Sequence, residues 1–529
     1  MEVRIALAVA DAASIKDGGG IRMKLTVIGR DRQQVISMRE GLSVLQALTE
    51  NKIYLTSPCG GKGICGKCKI RLVKGTLPIT EADSRVLTKE QLEHGIRLGC
   101  LAYLTEDVTI EVEEEEEFEV VMNTMELPIK KHQNEDAQYG IAIDIGTTTI
   151  AMEVVDINND EIQNSYGELN RQRSYGADVI SRISACNAGD LEKLRDVVRE
   201  QLCEMIQRFE LESISRIVIA ANTTMCHILM GYPCQTLGVY PFEPVNVNTI
   251  HTTSQDLFGD RIPFCQVVIL PGISTFVGAD IVSGLVTCGF SETEKVSVLI
   301  DLGTNGEMAI GTRNQILVTS AAAGPAFEGG NISCGTGSIP GAIASVEITH
   351  GMAKVKTIQD KDPVGLCGSG VLELTAELLR NDFIDETGAL GEKYFDDGFP
   401  VALSRAGEVV FTQRDIREIQ MAKSAVYSAL TLMTKRYGVS MDDVDKVYLA
   451  GGFGFHVNIE KALEIGLLPK SWKEKIAVVG NTSLKGAELA LLENDFISKA
   501  EAIVEVSSEL ALANDKEFSE LYTENMFFE

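Results

Sequence analysis

The chain is short of positive charge. Its 529 residues hold 48 Lys and Arg against 76 Asp and Glu, a formal net charge of −28. Binding a phosphate backbone needs clustered Lys and Arg, so the deficit argues against nucleic acid as a partner. Its ordinary consequence is solubility, and a lesser one is docking to a protein partner. Long apolar runs are missing too. No window offers the roughly 18 apolar residues that a membrane helix requires, so a soluble chain with no membrane association is expected. The Ile5–Ala10 run is shorter than a signal-peptide core and is followed by Gly18, Gly19 and Gly20. Residues 1–22 therefore read as a disordered leader, with Met23 as the functional start. Metal-ligand spacing is absent around eight of the twelve cysteines: Cys186, Cys203, Cys226, Cys234, Cys265, Cys288, Cys334 and Cys367. Scattered thiols of this kind are usually small buried hydrophobes of a reducing compartment, here the cytoplasm. A length of 529 with 45% hydrophobic residues predicts two or three packed domains.

The other four cysteines are patterned. Cys59-Gly-Gly-Lys-Gly-Ile-Cys65-Gly-Lys-Cys68 puts three thiols on one loop, and Cys100 supplies a distant fourth. Glycines at 60, 61, 63 and 66 let backbone N–H groups wrap closely around something anionic, as bridging sulfides require. The spacing resembles the adrenodoxin-like variant of 2Fe-2S ferredoxins, one residue longer in its first gap than the plant type. A four-cysteine zinc site is the competing reading, although zinc ribbons usually pair two C-x-x-C knuckles and here Leu98-Gly-Cys100 stands where the second would be. A four-iron cluster stays open. Strand patterns at Lys24–Ile28, Gln34–Ser37, Lys69–Val73 and Val108–Val112, with helical spacing over Ser43–Leu48, predict a β-grasp ferredoxin domain over 23–115. Ferredoxins of this kind work near about −400 mV or somewhat above, so a harder reduction needs another driving force.

Glu113 to Glu117 is an unbroken acidic run, and Asn123 to Gln138 is polar with Pro128 inside it. Like charges extend a chain, so 116–139 is expected to be a mobile tether.

Beyond it a phosphate-sized turn occurs twice. Ile141-Ala-Ile-Asp144-Ile-Gly146-Thr147-Thr148-Thr149 and Val298-Leu-Ile-Asp301-Leu-Gly303-Thr304-Asn305-Gly306-Glu307 both read strand, turn, strand. In such a turn the glycine opens room for a phosphate, hydroxyls and N–H groups donate to it, and the aspartate orients Mg2+ or its waters. One copy would be weak evidence, since glycine turns join many hairpins. Two further segments repeat in the same order: Arg216–Asn222 with Lys446–Gly452, and Gly272–Asp280 with Gly480–Glu488. Three matched segments imply two homologous halves, about 140–296 and 297–529, with an insertion in the second between its first and second matched segments.

Duplicated α/β halves that each open with an Asp-x-Gly-Thr hairpin resemble the superfamily of acetate kinase, sugar kinases, heat-shock chaperones and actin. That resemblance implies ATP in a cleft between halves, with Gly451 and Gly452 where the superfamily has its adenosine motif. The fold class expected is thus multidomain α/β: a β-grasp 2Fe-2S ferredoxin followed by a duplicated actin-like, sugar-kinase-like ATPase core over 140–529. A ferredoxin joined to this core, with Asn222-Thr-Thr-Met225, Gly324-Pro-Ala-Phe-Glu-Gly-Gly330, Cys367-Gly-Ser-Gly370 and Gly451-Gly-Phe-Gly454, resembles the reductive activators of corrinoid proteins. The resemblance runs from about Met23 to the end. It implies ATP-dependent return of a methyltransferase system's Co(II) corrinoid to Co(I), the electron passing through the cluster from an upstream donor. One departure is expected: the tether leads almost directly into the first phosphate motif, where an extra middle domain would stand in larger members.

On this reading Cys59, Cys65, Cys68 and Cys100 hold the cluster. Asp144 and Asp301 organise Mg2+ and the attacking water, and Gly146, Thr147, Thr148, Gly303, Thr304, Asn305, Gly451 and Gly452 contact ATP. Glu307 positions water or is merely a packed polar residue. A homodimer through the ATPase core is expected. The alternatives are an ATP-driven reductase of another low-potential metalloenzyme, a redox-regulated small-molecule kinase, which shows no separate acceptor-activating base, and an ATP-dependent chaperone with the cluster as sensor.

Overall fold

The computed structural model describes residues 22–29, 33–112, 138–303, 305–405, 407–451 and 457–528. The expected leader up to residue 21, most of the expected tether, Thr304 and Gly452 lie outside the described residues. The chain divides into two compact units, 1–115 and 116–529.

The first unit is built on alternation. In β1 (Arg22–Ile28) Met23, Leu25 and Val27 point inward, and in β2 (Gln33–Arg39) Ile36 and Met38 do so. A helix, Val44–Glu50, starts where a capping box closes it: the Gln46 amide donates to Ser43 Oγ at 3.2 Å and the Ser43 amide to Gln46 Oε1 at 3.0 Å. With β3 (Lys69–Lys74), β4 (Ile96–Leu98) and β5 (Val108–Glu111), these strands make one sheet in the order β2-β1-β5-β3-β4. The β1–β5 pair is parallel and the others are antiparallel. This is the expected β-grasp. The sequence reading missed β4, whose three residues are too few to show a period. β4 matters, because its pairing with the start of β3 carries Cys100 to Cys68.

The second unit contains the repeat. Its first half has β6 (Tyr139–Ile145), β7 (Thr149–Asp156), β8 (Glu161–Leu169), β9 (Arg216–Ala221), β10 (Ile250–Thr253) and β11 (Gln266–Ile269), ordered β10-β11-β9-β6-β7-β8. The second half opens with β12 (Ser297–Leu302), β13 (Gly306–Thr312) and β14 (Gln315–Ala321). An insertion follows: β15 (Ala342–Thr349), β16 (Met352–Thr357) and β17 (Gly365–Leu366) form a small sheet, and β18 (Phe399–Ser404) pairs with β19 (Gly407–Phe411). The half ends with β20 (Lys446–Ala450), β21 (Ile476–Gly480) and β22 (Ser507–Glu509), giving the order β21-β20-β12-β13-β14-β22. Apart from one edge strand in each, the two sheets have the same order: fifth, fourth, first, second, third. The first two pairs of repeated segments read from the sequence thus occupy equivalent strands, the third leads into an equivalent helix in each half, and the extra length of the second half is the β15–β19 insertion.

Two helices lie between the sheets, Ala279–Thr287, reached from β11 through a loop, and Thr482–Leu492, entered directly from β21. Their buried faces share one core with Ala142 and Val218 of the first sheet and Leu299 and Ala309 of the second. They cross closely because their contact is made of small residues: a Cβ on Gly486 would lie 2.4 Å from Ser283 Cβ, and one on Gly284 2.7 Å from Thr482 Oγ1. Among the described residues no helix is long and apolar enough to cross a membrane.

Candidate functional site

In the first unit the loop from Ser57 to Cys68 is shaped by its glycines. Gly60, Gly61, Gly63 and Gly66 all have φ between 61° and 82°. Two of them also lack room for a side chain: a Cβ on Gly63 would stand 2.4 Å from Leu101 Cδ1, and one on Gly66 2.6 Å from Val86 Cγ1. The buried Ser57 anchors the entry, its Oγ accepting from the Gly61 amide at 3.1 Å.

The thiols stand in two pairs, Cys59 against Cys65 and Cys68 against Cys100. Burial pushes the Cys59 thiol up, but the amides of Ile64, Cys65 and Lys62, with the Cys65 thiol, outweigh it and hold Cys59 below its ordinary value. Hydrogen bonding from Cys100 brings Cys68 down to about 7, aided by the Cys100 and Gly99 amides; Cys100, its partner, is pushed up. Among the described residues no three His, Cys, Asp or Glu side chains converge on a single metal-ion position. Two facing thiol pairs ringed by amide donors suit two irons with two cysteines each better than one tetrahedral zinc ion. The residues fit a 2Fe-2S cluster.

In the second unit the two phosphate turns meet in one cleft of about 540 Å3. Asp144 and Asp301 are the next-to-last residues of β6 and β12, so the duplicated hairpins aim equivalent aspartates at one space. Both turns close alike, the Gly146 amide donating to Thr149 O and the Gly303 amide to Asn305 O, each at 2.9 Å. Asp144, Gly146, Thr147, Thr148, Asp301, Gly303, Asn305, Glu307 and Gly451 all line the cleft. Gly451 has φ 89°, and a Cβ there would lie 2.5 Å from Asp301 Oδ1. Its missing side chain makes room for a carboxylate, a more local reason for glycine than approach to a nucleoside.

The two aspartates are not alike. Asp144 is held from the other half: Ser483 Oγ donates to its Oδ1 at 2.7 Å and Asn481 Nδ2 to its Oδ2 at 2.9 Å, both at the start of the 482–492 helix. Its strand neighbour is Ala151. Asp301 instead faces Glu307 across the β12–β13 pair, with Ser320 Oγ donating to Glu307 Oε1 at 3.0 Å. Asp280, in the first turn of the 279–287 helix, completes a carboxylate cluster.

Burial raises every member of that cluster, and for Asp280, Asp301 and Glu307 the charge of neighbouring carboxylates adds to it. Asp280 is pushed up to about 7 by desolvation and Asp144. Asp301 reaches about 7 through desolvation, Asp280, Asp144 and Glu328, and Glu307 about 8 through desolvation, Asp280 and Asp301. Desolvation also raises Asp144, against its two hydrogen bonds. Such a cleft repels a bare polyphosphate and accepts one accompanied by a divalent cation. Mg2+ keeps several waters and takes only one or two carboxylates, so it does not need three converging ligands.

Sequence reasoning missed the scaffold of the first turn. Arg182, buried in the 179–185 helix, donates from Nη2 to Thr147 O at 2.5 Å and from Nε to Gly176 O at 3.0 Å. Asn170 Nδ2 donates to Gly146 O at 2.9 Å, and Asn222 Nδ2 to Thr147 Oγ1 at 3.0 Å. Asp280, Asn481 and Ser483 were also overlooked as chemistry, although all three fall within the third repeated segment.

Comparison with known proteins agrees with both units. Residues 27–105 match the 2Fe-2S iron-sulfur cluster binding domain, 139–293 the RACo middle region, and 295–529 the C-terminal domain of RACo, the ASKHA domain. The match over 139–293 corrects the expectation of a missing middle domain: that region is present, and it is the first half of the duplicated core. A corrinoid activation enzyme of Eubacterium limosum, RamQ, is 32% identical over 428 residues, 76% of this chain and 72% of that protein. The [Co(II) methylated amine-specific corrinoid protein] reductase of Methanosarcina barkeri is 23% identical over 73% of this chain and 76% of its own length. A solved reductive activator for a corrinoid, iron-sulfur protein superposes with a TM-score of 0.68 at 26% identity, covering 95% of this chain and 98% of that one.

Proposed function

From the premise that this chain belongs to the reductive activators of corrinoid proteins, we propose that it uses ATP to return a methyltransferase system's corrinoid from Co(II) to Co(I). The observation that carries the ATP dependence is the convergence of two phosphate turns with Asp144, Asp280, Asp301 and Glu307 in one cleft. The proposed division places the ferredoxin at 23–115, the tether at 116–139 and the ATPase at 140–529, in the cytoplasm, with an ATPase-mediated homodimer.

Cys59, Cys65, Cys68 and Cys100 are the proposed cluster ligands, and a bound 2Fe-2S cluster supplies one-electron transfer. In the cleft, Thr147, Thr148, Thr304 and Asn305, with the turn glycines 146 and 303, bind the phosphates. Gly451 and Gly452 are the proposed contacts to the nucleoside. Asp301, which no side chain of the other half holds among the described residues, is the better placed of the two aspartates to take up the waters of Mg2+. Asp144, held by Asn481 and Ser483, ties the first turn to the second half, so filling the cleft bears on how the halves meet. Glu307 and Asp280 orient the attacking water. Coupling requires that the ATP-bound and empty forms bind the corrinoid protein differently.

Anaerobic mixing of the cluster-loaded protein with a Co(II) corrinoid protein and a reductant tests this. A Co(I) band with Mg-ATP and none without nucleotide is the expected result; no Co(I) with any corrinoid protein of the same cell overturns the reading.

A further inference from the structure

Charge is divided unevenly along the chain. Residues 22–112 hold 14 Lys and Arg and 10 Asp and Glu, within a chain whose totals are 48 and 76. The excess is local: from Asn51 to Thr80 there are six cations (Lys52, Lys62, Lys67, Lys69, Arg71 and Lys74) and no Asp or Glu. This stretch contains three of the four patterned cysteines. Arg71 is neutralised by Glu111. Lys62, Lys67, Lys69 and Lys74 are exposed and make no ion pair among the described residues. Between Lys62 and Lys67 the loop turns Ile64 outward, its side chain 60% exposed.

An exposed apolar residue on the thiol loop, preceded and followed by exposed cations that make no ion pair among the described residues, has the composition of a transient protein interface: a small dry centre and a charged rim that sets orientation and encounter rate. The rest of the chain, with 34 basic and 66 acidic residues, repels an acidic protein. A carrier of negative charge is therefore steered away from the ATPase and toward the thiol loop.

We infer that the face formed by Lys62, Ile64, Lys67, Lys69 and Lys74 is the docking surface for an acidic electron-carrier protein, which reduces this protein. The inference rests on the reading that the four cysteines hold an electron-accepting cluster, and it adds the chemical class of the donor. In the encounter the reduced carrier loses one electron to the oxidised cluster, with no bond made or broken and no proton moved.

Binding is the first test. The full-length, cluster-loaded protein is titrated with an acidic flavodoxin as probe at 20 mM and 300 mM salt. The expected result is at least a tenfold weakening of Kd in high salt and at least a tenfold weakening in Lys62→Glu/Lys67→Glu at low salt. Lys69→Glu/Lys74→Glu, outside the loop, serves if the first variant loses its cluster spectrum, and is expected to weaken binding about threefold or more. Reduction by the flavodoxin should fall in parallel, while reduction by photoreduced deazaflavin, a small molecule that needs no docking face, stays unchanged. Binding insensitive to salt and to both variants overturns the inference. So does a variant that takes electrons from flavodoxin normally but, once reduced, fails to pass them to the corrinoid protein, since the face would then serve the acceptor. The activator reading fails separately: flavodoxin binding with the expected salt and charge dependence but no Co(I) would leave this surface standing.

Discussion

At the residue scale the cleft is governed by carboxylates that do not want to be charged. Asp280 and Asp301 near 7 and Glu307 near 8 lie above the ordinary values of about 3.9 and 4.3, so between pH 4 and 8 the folded protein binds more protons than the unfolded chain. Stability of the nucleotide-free protein should therefore fall as pH rises from 5 to 8, and Mg-ATP, by neutralising the cluster, should restore most of the loss. Thermal melts with and without Mg-ATP check this; a melting temperature that rises with pH in the absence of nucleotide contradicts it. Asp301→Asn should flatten the pH slope and lower ATP hydrolysis by about a hundredfold or more, since it removes a charge aimed at the metal and water. Gly451→Ala should cost about 1–3 kcal/mol and weaken nucleotide binding, because its Cβ would press on Asp301 Oδ1 from a left-handed backbone position. Denaturant unfolding and a nucleotide titration read the two effects. Asp144, Asp301 and Glu307 could be read from the sequence because they belong to short repeated turns. Asp280 stood at the end of a repeated segment, but nothing in that segment showed that the chain's path through a whole half brings its carboxylate beside Asp144 and Asp301. Arg182 was hidden in the same way, on a helix whose contact with Thr147 is purely tertiary.

At the scale of elements, the two interior helices join the halves. Their crossing depends on Gly284 and Gly486, and the start of the 482–492 helix holds Asp144. Gly486→Val should force the helices apart, costing about 1–3 kcal/mol and reducing ATP affinity in the same variant. Asn481→Ala/Ser483→Ala leaves Gly284 and Gly486 at the crossing in place and removes the two bonds to Asp144 together with the helix-capping bond that Asn481 Oδ1 accepts from the Leu484 amide at 2.9 Å. It should raise the KM for ATP more than it lowers kcat, whereas a purely structural role would lower the melting temperature with unchanged kinetics. The sheets themselves were legible, since Ile141–Ile143 and Val298–Ile300, each leading into an aspartate, are apolar runs of central strands, buried on both faces. The insertion was legible only as length. β16 alternates half-buried with exposed residues and β17 has two residues, so neither carries a hydrophobic period strong enough to read.

At the scale of the whole molecule, one chain joins a 2Fe-2S cluster binding domain to an ASKHA domain. The cysteine loop and the paired phosphate turns together made that combination readable before any fold was known, since each motif demands its own chemistry. What the sequence could not provide was the difference between the two aspartates, which exists only because one half reaches across to the other. The most direct test of the joint role is the Co(II)-to-Co(I) spectrum of a corrinoid protein, measured with the wild type and with two variants. Cys65→Ser should still bind ATP, and Asp301→Ala should still be reduced at its cluster, yet neither should produce Co(I) with ATP and reductant present. Co(I) formed at the wild-type rate by Cys65→Ser would contradict the account, because the electron would then reach cobalt without the cluster.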